Sequence, residues 1–313
     1  FLDKKEDEFR VIMLGGSSLA GSGAKKNSQT IPSILEKYLN KRDDNKKYRV
    51  INYGAAGGNT GAEAIKFFQY LIYLEPDMVI TLDGFNDTWN YVFENKRVGI
   101  KYPIINWSDQ SYKLFELLNG YPSSKAKKKP IPPLIYASTV INKLKYRYDL
   151  KTKNDKEEFY KDFPMYKISK QKKEDKGFLS EMFKNNISMF ANHACRNEIL
   201  YLSILQPHAY DNYDGLTLNE LEKIQKYEYK YNETIIDTKN YIKVFNKEYD
   251  DLKVTMNNLS ESYIDCKNVN FLNLTSVFKG HKKDVYEDNI HYTPYGNSII
   301  ADKIYQTINK KLL

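Results

Sequence analysis

The chain has 313 residues, 41% of them hydrophobic, enough to bury a sizeable core and too apolar for wholesale disorder. No run of about 18 apolar residues occurs, which excludes a helical membrane span within this sequence. The formal charge of +8 comes from lysines that are dispersed apart from Lys125–Lys129 and Lys170–Lys173, in a composition rich in Asn, Ile and Tyr; no nucleic-acid fingerprint accompanies them, so no nucleic-acid partner is expected.

Val11 to Leu14 is a continuous apolar run ended by glycines, the pattern of a buried parallel strand. Ile31 to Leu39 has helical spacing, with Thr30 as N-cap and Pro32 in the first turn. Tyr48 to Tyr53 reads as the second strand, Thr60 to Leu74 as an amphipathic helix, and Met78 to Leu82 as the third strand. Leu200 to Leu205 and Val269 to Leu274 supply the fourth and fifth strands, residues 216–263 one or two long helices, and Pro294 to Leu313 a closing helix. Strand and helix alternate, which predicts a mostly parallel five-stranded sheet with helices on both faces. Residues 98–176 interrupt the alternation with Pro130-Ile131-Pro132-Pro133, both lysine clusters and many tyrosines. A stretch of that length is read as an insertion or lid within a single domain spanning 1–313.

Four short motifs follow the apolar runs or the last strand. Gly15-Gly16-Ser17-Ser18 ends the first run, where glycines permit a tight turn and leave a serine hydroxyl at the rim of the sheet. Ser17 is the candidate nucleophile and Ser18 its nearest rival. Gly54-Ala55-Ala56-Gly57-Gly58 follows the second strand and Gly84-Phe85-Asn86-Asp87 the third, each able to present N–H groups to developing negative charge. Gly58 competes with Gly57 for that role, and Asp87 is read as a cap or brace. Near the C-terminus, Asp288-Asn289-Ile290-His291 offers a base with an aspartate three residues before it to orient the imidazole. His208, after Gln206-Pro207, is the competing histidine and is assigned to substrate contact or loop structure. The α/β-hydrolase elbow fails because Leu19 follows Ser18 where glycine is required, and a P-loop fails because Ser22 stands where its lysine belongs. Cys195 and Cys266 fit either two free thiols or one disulfide, and His193-Ala194-Cys195 has no second ligand pair to make a zinc site.

Serine, glycine, asparagine and histidine in this order resemble the SGNH (GDSL-like) hydrolase superfamily over residues 10–95 and 198–313. One departure is Gly16, where that family usually carries aspartate. The resemblance implies a three-layer, flavodoxin-like α/β/α sandwich and ester hydrolysis without metal or organic cofactor. It also implies Ser17, Asp288 and His291 as the catalytic set, with Ser17, Gly57 and Asn86 forming the oxyanion hole. A serine esterase removing O-acyl groups, O-acetyl above all, from a carbohydrate is the expected function, the sugar resting on the resemblance and on the tyrosine-rich insertion. An O-acyltransferase using the same residues, or a catalytically silent glycan-binding or envelope-assembly protein, are the alternatives. Because the chain begins at Phe1, a signal peptide or anchor upstream is expected, with an envelope location and membrane contact only through that segment.

Overall fold

The computed structural model describes residues 3–93, 177–231 and 238–311, and the expected insertion at 98–176 lies outside them. The described residues fall in one compact unit, Phe1–Phe93 together with Gly177–Leu313. Five strands, β1 (Glu8–Gly15), β2 (Lys47–Asn52), β3 (Met78–Asp83), β4 (Leu200–Leu205) and β5 (Val269–Asn273), form one sheet in the order β2-β1-β3-β4-β5. Every neighbouring pair is parallel. The three inner strands are the continuous apolar runs, with Val11 to Leu14 fully buried and no residue of β3 exposed. The edge strands β2 and β5 are only partly covered.

Helices cover both faces. After the one-turn α1 (Ser17–Ala20), α2 (Ile31–Leu39) packs with the C-terminal α8 (Pro294–Lys311). The other layer gathers α3 (Thr60–Gln69), α4 (Phe85–Phe93), α5 (Phe178–Asn197) and α7 (Thr238–Ser262), with α6 (Leu218–Tyr231) preceding α7 in the chain. Thr30 caps α2 as expected, its hydroxyl accepting from the Ser33 N–H. Asn59 does the same for α3 by accepting from Ala62 at 3.0 Å. The expected helix from Thr60 to Leu74 is broken at Tyr70, where φ is −133°, and its last four residues form a separate 3-10 turn. Sequence spacing predicted no helix at α5. It buries Leu179, Phe183, Ile187, Phe190, Ala191 and Ala194, a stripe at the three- and four-residue intervals of an amphipathic helix.

Strand order reverses beside β1: the chain moves outward to β2, then returns across β1 to β3. In an open parallel sheet such a reversal leaves a crevice beyond the carboxyl ends, between the two strands that diverge. The loops after β1, β2 and β3 therefore converge on one place, and they carry three of the four sequence motifs.

Cys195, at the end of α5, is disulfide-bonded to Cys266, just before β5. Asn268 reinforces the same tie by donating to the carbonyls of Ala194 and Ile199 at 2.7 and 2.8 Å. The bond closes a loop across a sequence separation of 71 residues. Cross-links closing long loops restrict the unfolded chain most, so reduction, or replacement of both cysteines by serine, is expected to lower unfolding free energy by about 2–4 kcal/mol. Denaturant unfolding with and without reductant measures this, and coincident midpoints would rule out a stabilising disulfide.

Candidate active site

Ser17 opens α1, at the point where β1 ends in Gly15. Its Oγ lies 2.7 Å from His291 Nε2, and His291 Nδ1 lies 2.6 Å from Asp288 Oδ2. With the Nδ1 proton donated to Asp288, the Nε2 lone pair faces the serine and accepts its O–H. The structure thus joins the two ends of the chain through the three residues singled out from sequence.

The loop that carries His291 is held at many points. Asp288 Oδ1 accepts from the N–H groups of Ile290 and His291 at 3.0 and 2.8 Å, so one carboxylate folds the backbone and orients the ring. Backbone bonds from Glu287 to His291 and from Thr293 to Val285 close the two sides of the loop. Buried Glu220, in α6, anchors its start by accepting from Val285 and Tyr286. Asn289 and Tyr292 fasten it to the Pro207–Tyr210 segment after β4. Burial pushes the Asp288 carboxyl up, but the His291 ring and the two backbone N–H groups outweigh that effect and leave it below the usual range. Asp288 is therefore the anion that an imidazolium at His291 needs.

The rivals separate by what their polar atoms already do. The Ser18 hydroxyl is buried and donates to the Ile290 carbonyl at 3.0 Å, making it a clamp on the histidine loop. The Gly58 N–H donates to Ala55 at 2.9 Å, closing a tight turn. Gly57 takes the middle of that turn at φ +72°, with nothing within 4 Å of where a side chain would begin. Asn86 donates one amide hydrogen to the Gly58 carbonyl at 2.6 Å, which fixes the amide and leaves its second hydrogen available. The Ser17 N–H belongs to the first turn of α1, where no intrahelical acceptor exists. Asp87 braces this wall, accepting from the Thr60 hydroxyl at 2.6 Å and from its N–H at 3.3 Å.

His208 sits elsewhere. It is fully buried, with ring contacts to Phe85, Tyr210, Phe245 and Tyr249, and neither ring nitrogen has a hydrogen-bond partner among the described residues. Burial, aided by the Lys253 cation, pulls its pKa down to about 3, so the ring is neutral at ordinary pH. The structure brings it to the aromatic layer behind Phe85 and not to Ser17. Three residues of this region escaped sequence reading, namely Glu63, Asp83 and Glu220, all buried carboxyl groups. The available signals were an acid closing an apolar strand at Asp83 and acids in the first turns of α3 and α6. Such acids usually mark a solvated helix start.

No protein-family model and no curated protein matches the chain. Solved structures do. A GDSL-like lipase candidate from Parabacteroides merdae aligns with a TM-score of 0.50 at 12% identity, covering 98% of this chain and 98% of that one. An acetyl xylan esterase, AlAXEase, aligns at 0.48 and 11% identity over 96% and 99% of the two chains. LAE5, described as an α/β hydrolase enzyme from the metagenome of Lake Arreo, Spain, aligns at 0.48 and 11% identity over 96% and 94%. With its all-parallel order and helices on both faces, the chain has the SGNH (GDSL-like) hydrolase fold.

Gly16 now has a physical reason. A Cβ there would fall 2.4 Å from the Asn86 amide nitrogen and 3.4 Å from the Gly58 carbonyl oxygen. The residue is small because Asn86 occupies the adjoining space. Gly16→Ala is expected to cost about 1–3 kcal/mol of stability by overpacking, and much less in an Asn86→Ala background. A double-mutant cycle by denaturant unfolding reads the coupling; additive effects would place the collision elsewhere.

Proposed function

We propose that this protein is a serine ester hydrolase that works through an acyl-enzyme on Ser17. The observation that carries the reading is the continuous chain Ser17 Oγ, His291 Nε2, His291 Nδ1, Asp288 Oδ2, with both links at hydrogen-bond distance. It stands beside donor groups on the two neighbouring loops, as a tetrahedral intermediate requires.

In the acylation step His291 takes the Ser17 proton as Oγ attacks the ester carbonyl. The resulting imidazolium is stabilised by Asp288, while the oxyanion is met by the Ser17 and Gly57 N–H groups and the free Asn86 amide hydrogen. His291 then returns its proton to the leaving alcohol. Water, deprotonated by the same histidine, attacks the acyl-serine, and collapse releases the carboxylic acid and restores Ser17.

The substrate class we infer is a short O-acyl ester, O-acetyl in particular, borne by a carbohydrate. The tyrosine-rich sequence of 98–176 supports the sugar, since aromatic faces stack on sugar rings; that segment lies outside the described residues. An acetylated polysaccharide is the first substrate to try.

Ser17→Ala is expected to abolish hydrolysis of p-nitrophenyl acetate while unfolding as cooperatively as wild type, and a fluorophosphonate should label Ser17 alone. Labelling at Ser18, or full activity without Ser17, would end the assignment. Asn86→Ala should lower kcat by about 10²–10³-fold with little change in KM, because its amide meets charge that develops only in the transition state. A variant with normal kcat and raised KM would make Asn86 a binding group instead. His291→Ala should remove turnover, whereas His208→Ala should chiefly lower the melting temperature by opening the aromatic layer. Equal losses of turnover in two well-folded variants would contradict the separation of their roles.

A further inference from the structure

Three carboxyl groups with no part in that chemistry lie beneath the two donor loops. Glu63 is in the first turn of α3, Asp83 ends β3, and Asp87 is in the first turn of α4; they are 4%, 3% and 2% exposed. Asp87 spends one oxygen on Thr60. Glu63 and Asp83 each act on the other's ionisation as close neighbours do, and all four of their carboxyl oxygens are buried without a hydrogen-bond partner among the described residues. Two anions so placed, away from water, would repel strongly. A single proton removes the conflict, letting a neutral Glu63 carboxyl donate to an Asp83 carboxylate.

The other ionisable groups facing the pair do not replace that proton. Lys66, a cation on the same helix, acts on Glu63 less than either burial or Asp83 does. Asp87 adds negative charge from α4. Tyr201 on β4, whose hydroxyl meets Thr81, and Tyr249 on α7, which donates to the Gln206 carbonyl, are phenols that burial holds neutral. Nor do these carboxyls belong to a group able to hold a metal ion, among the described residues.

The pair also sits where it can act on the donors. A side chain on Gly58 would begin 3.3 Å from a Glu63 carboxyl oxygen, and the Gly58 carbonyl is the group that fixes Asn86. Asp83 lies three residues before Asn86 in the turn from β3 into α4. We propose that Glu63 and Asp83 share one proton, and that this bridge clamps the Gly57 loop to the Asn86 loop, making both acids positioning residues of the oxyanion hole. The proposal rests on the hydrolase reading above. Losing the proton sets like charges against each other and spreads the donors, which lowers kcat while leaving KM almost unchanged.

Burial first, and then the charge of Asp83, hold the Glu63 carboxyl well above its ordinary range. A raised folded-state value means the native protein binds the extra proton, so this contribution to stability is complete at acid pH and is lost as pH climbs through the raised value. The experiment is kcat, KM and melting temperature against pH for wild type, Glu63→Ala and Glu63→Gln. Wild-type kcat should decline at alkaline pH at constant KM. Glu63→Ala should lose about tenfold or more in kcat through misplaced donors. Glu63→Gln, which keeps a donor toward Asp83 and cannot ionise, should recover most of that loss and lack the alkaline decline in both kcat and melting temperature. A glutamine variant as slow as the alanine variant, or alkaline declines that coincide in wild type and Glu63→Gln, would overturn the shared proton. Should wild type neither hydrolyse esters nor label at Ser17, the hydrolase reading fails by itself. The melting curves still decide the bridge, parallel pH dependence in wild type and Glu63→Gln refuting it.

Discussion

The hydrogen bond between Ser17 and His291 joins groups 274 residues apart. Everything else in the described structure holds that distance. Bringing two ends of a chain together costs entropy that one hydrogen bond, worth about 1 kcal/mol net, cannot offset. The cost is spread over the sheet, which fixes Ser17 at the end of β1, and over the anchors of the histidine loop. Ser18 and Glu220 hold that loop from α1 and α6, and Asn289 and Tyr292 tie it to the Pro207–Tyr210 segment. The serine–histidine distance is thereby set by buried contacts whose loss would be expensive, and not by two side chains finding each other in water.

The same logic explains why so many polar groups are buried around this crevice. Asn59, Thr60, Glu63, Asp83 and Asp87 are nearly inaccessible, all within or beside the walls that carry Gly57 and Asn86. Hydrophobic side chains would give a more stable filling at such positions. Polar ones give direction: the Asp87–Thr60 bond and the Asn86–Gly58 bond each allow one arrangement of two loops. On the proposed reading these loops aim donors at a developing oxyanion, a task that directional filling suits.

Much of this was legible in the sequence, for identifiable reasons. The three inner strands were readable because such strands of a parallel sheet are continuous apolar runs, the two edge strands by their place in the alternation, and the first three motifs because glycines mark the turns that follow strands. Ser17, Gly57, Asn86, Asp288 and His291 were singled out by order, context and family resemblance; the fold then joins Ser17 to His291 and Asp288, and Asn86 to the Gly58 carbonyl. The α5 helix was missed because it begins at Gly177 without a capping side chain and follows a long segment of biased composition. His208 looked like a site residue because it closely follows a strand; its enclosure depends on Phe245 and Tyr249, from a helix some forty residues later. The buried acids were illegible for a related reason. A glutamate in a first helical turn ordinarily faces water, and only the packing of α3 against the sheet removes water from Glu63.

Covalent chemistry at Ser17 is what the hydrolase reading requires. Its most direct test is rapid acid quenching of the protein mixed with an activated acetyl ester, followed by peptide mass analysis. We predict one acetyl group on the peptide containing Ser17, formed within the first turnover and lost on continued incubation, with no such adduct in Ser17→Ala. Turnover without any acyl adduct, or an adduct that persists on another residue, would contradict it.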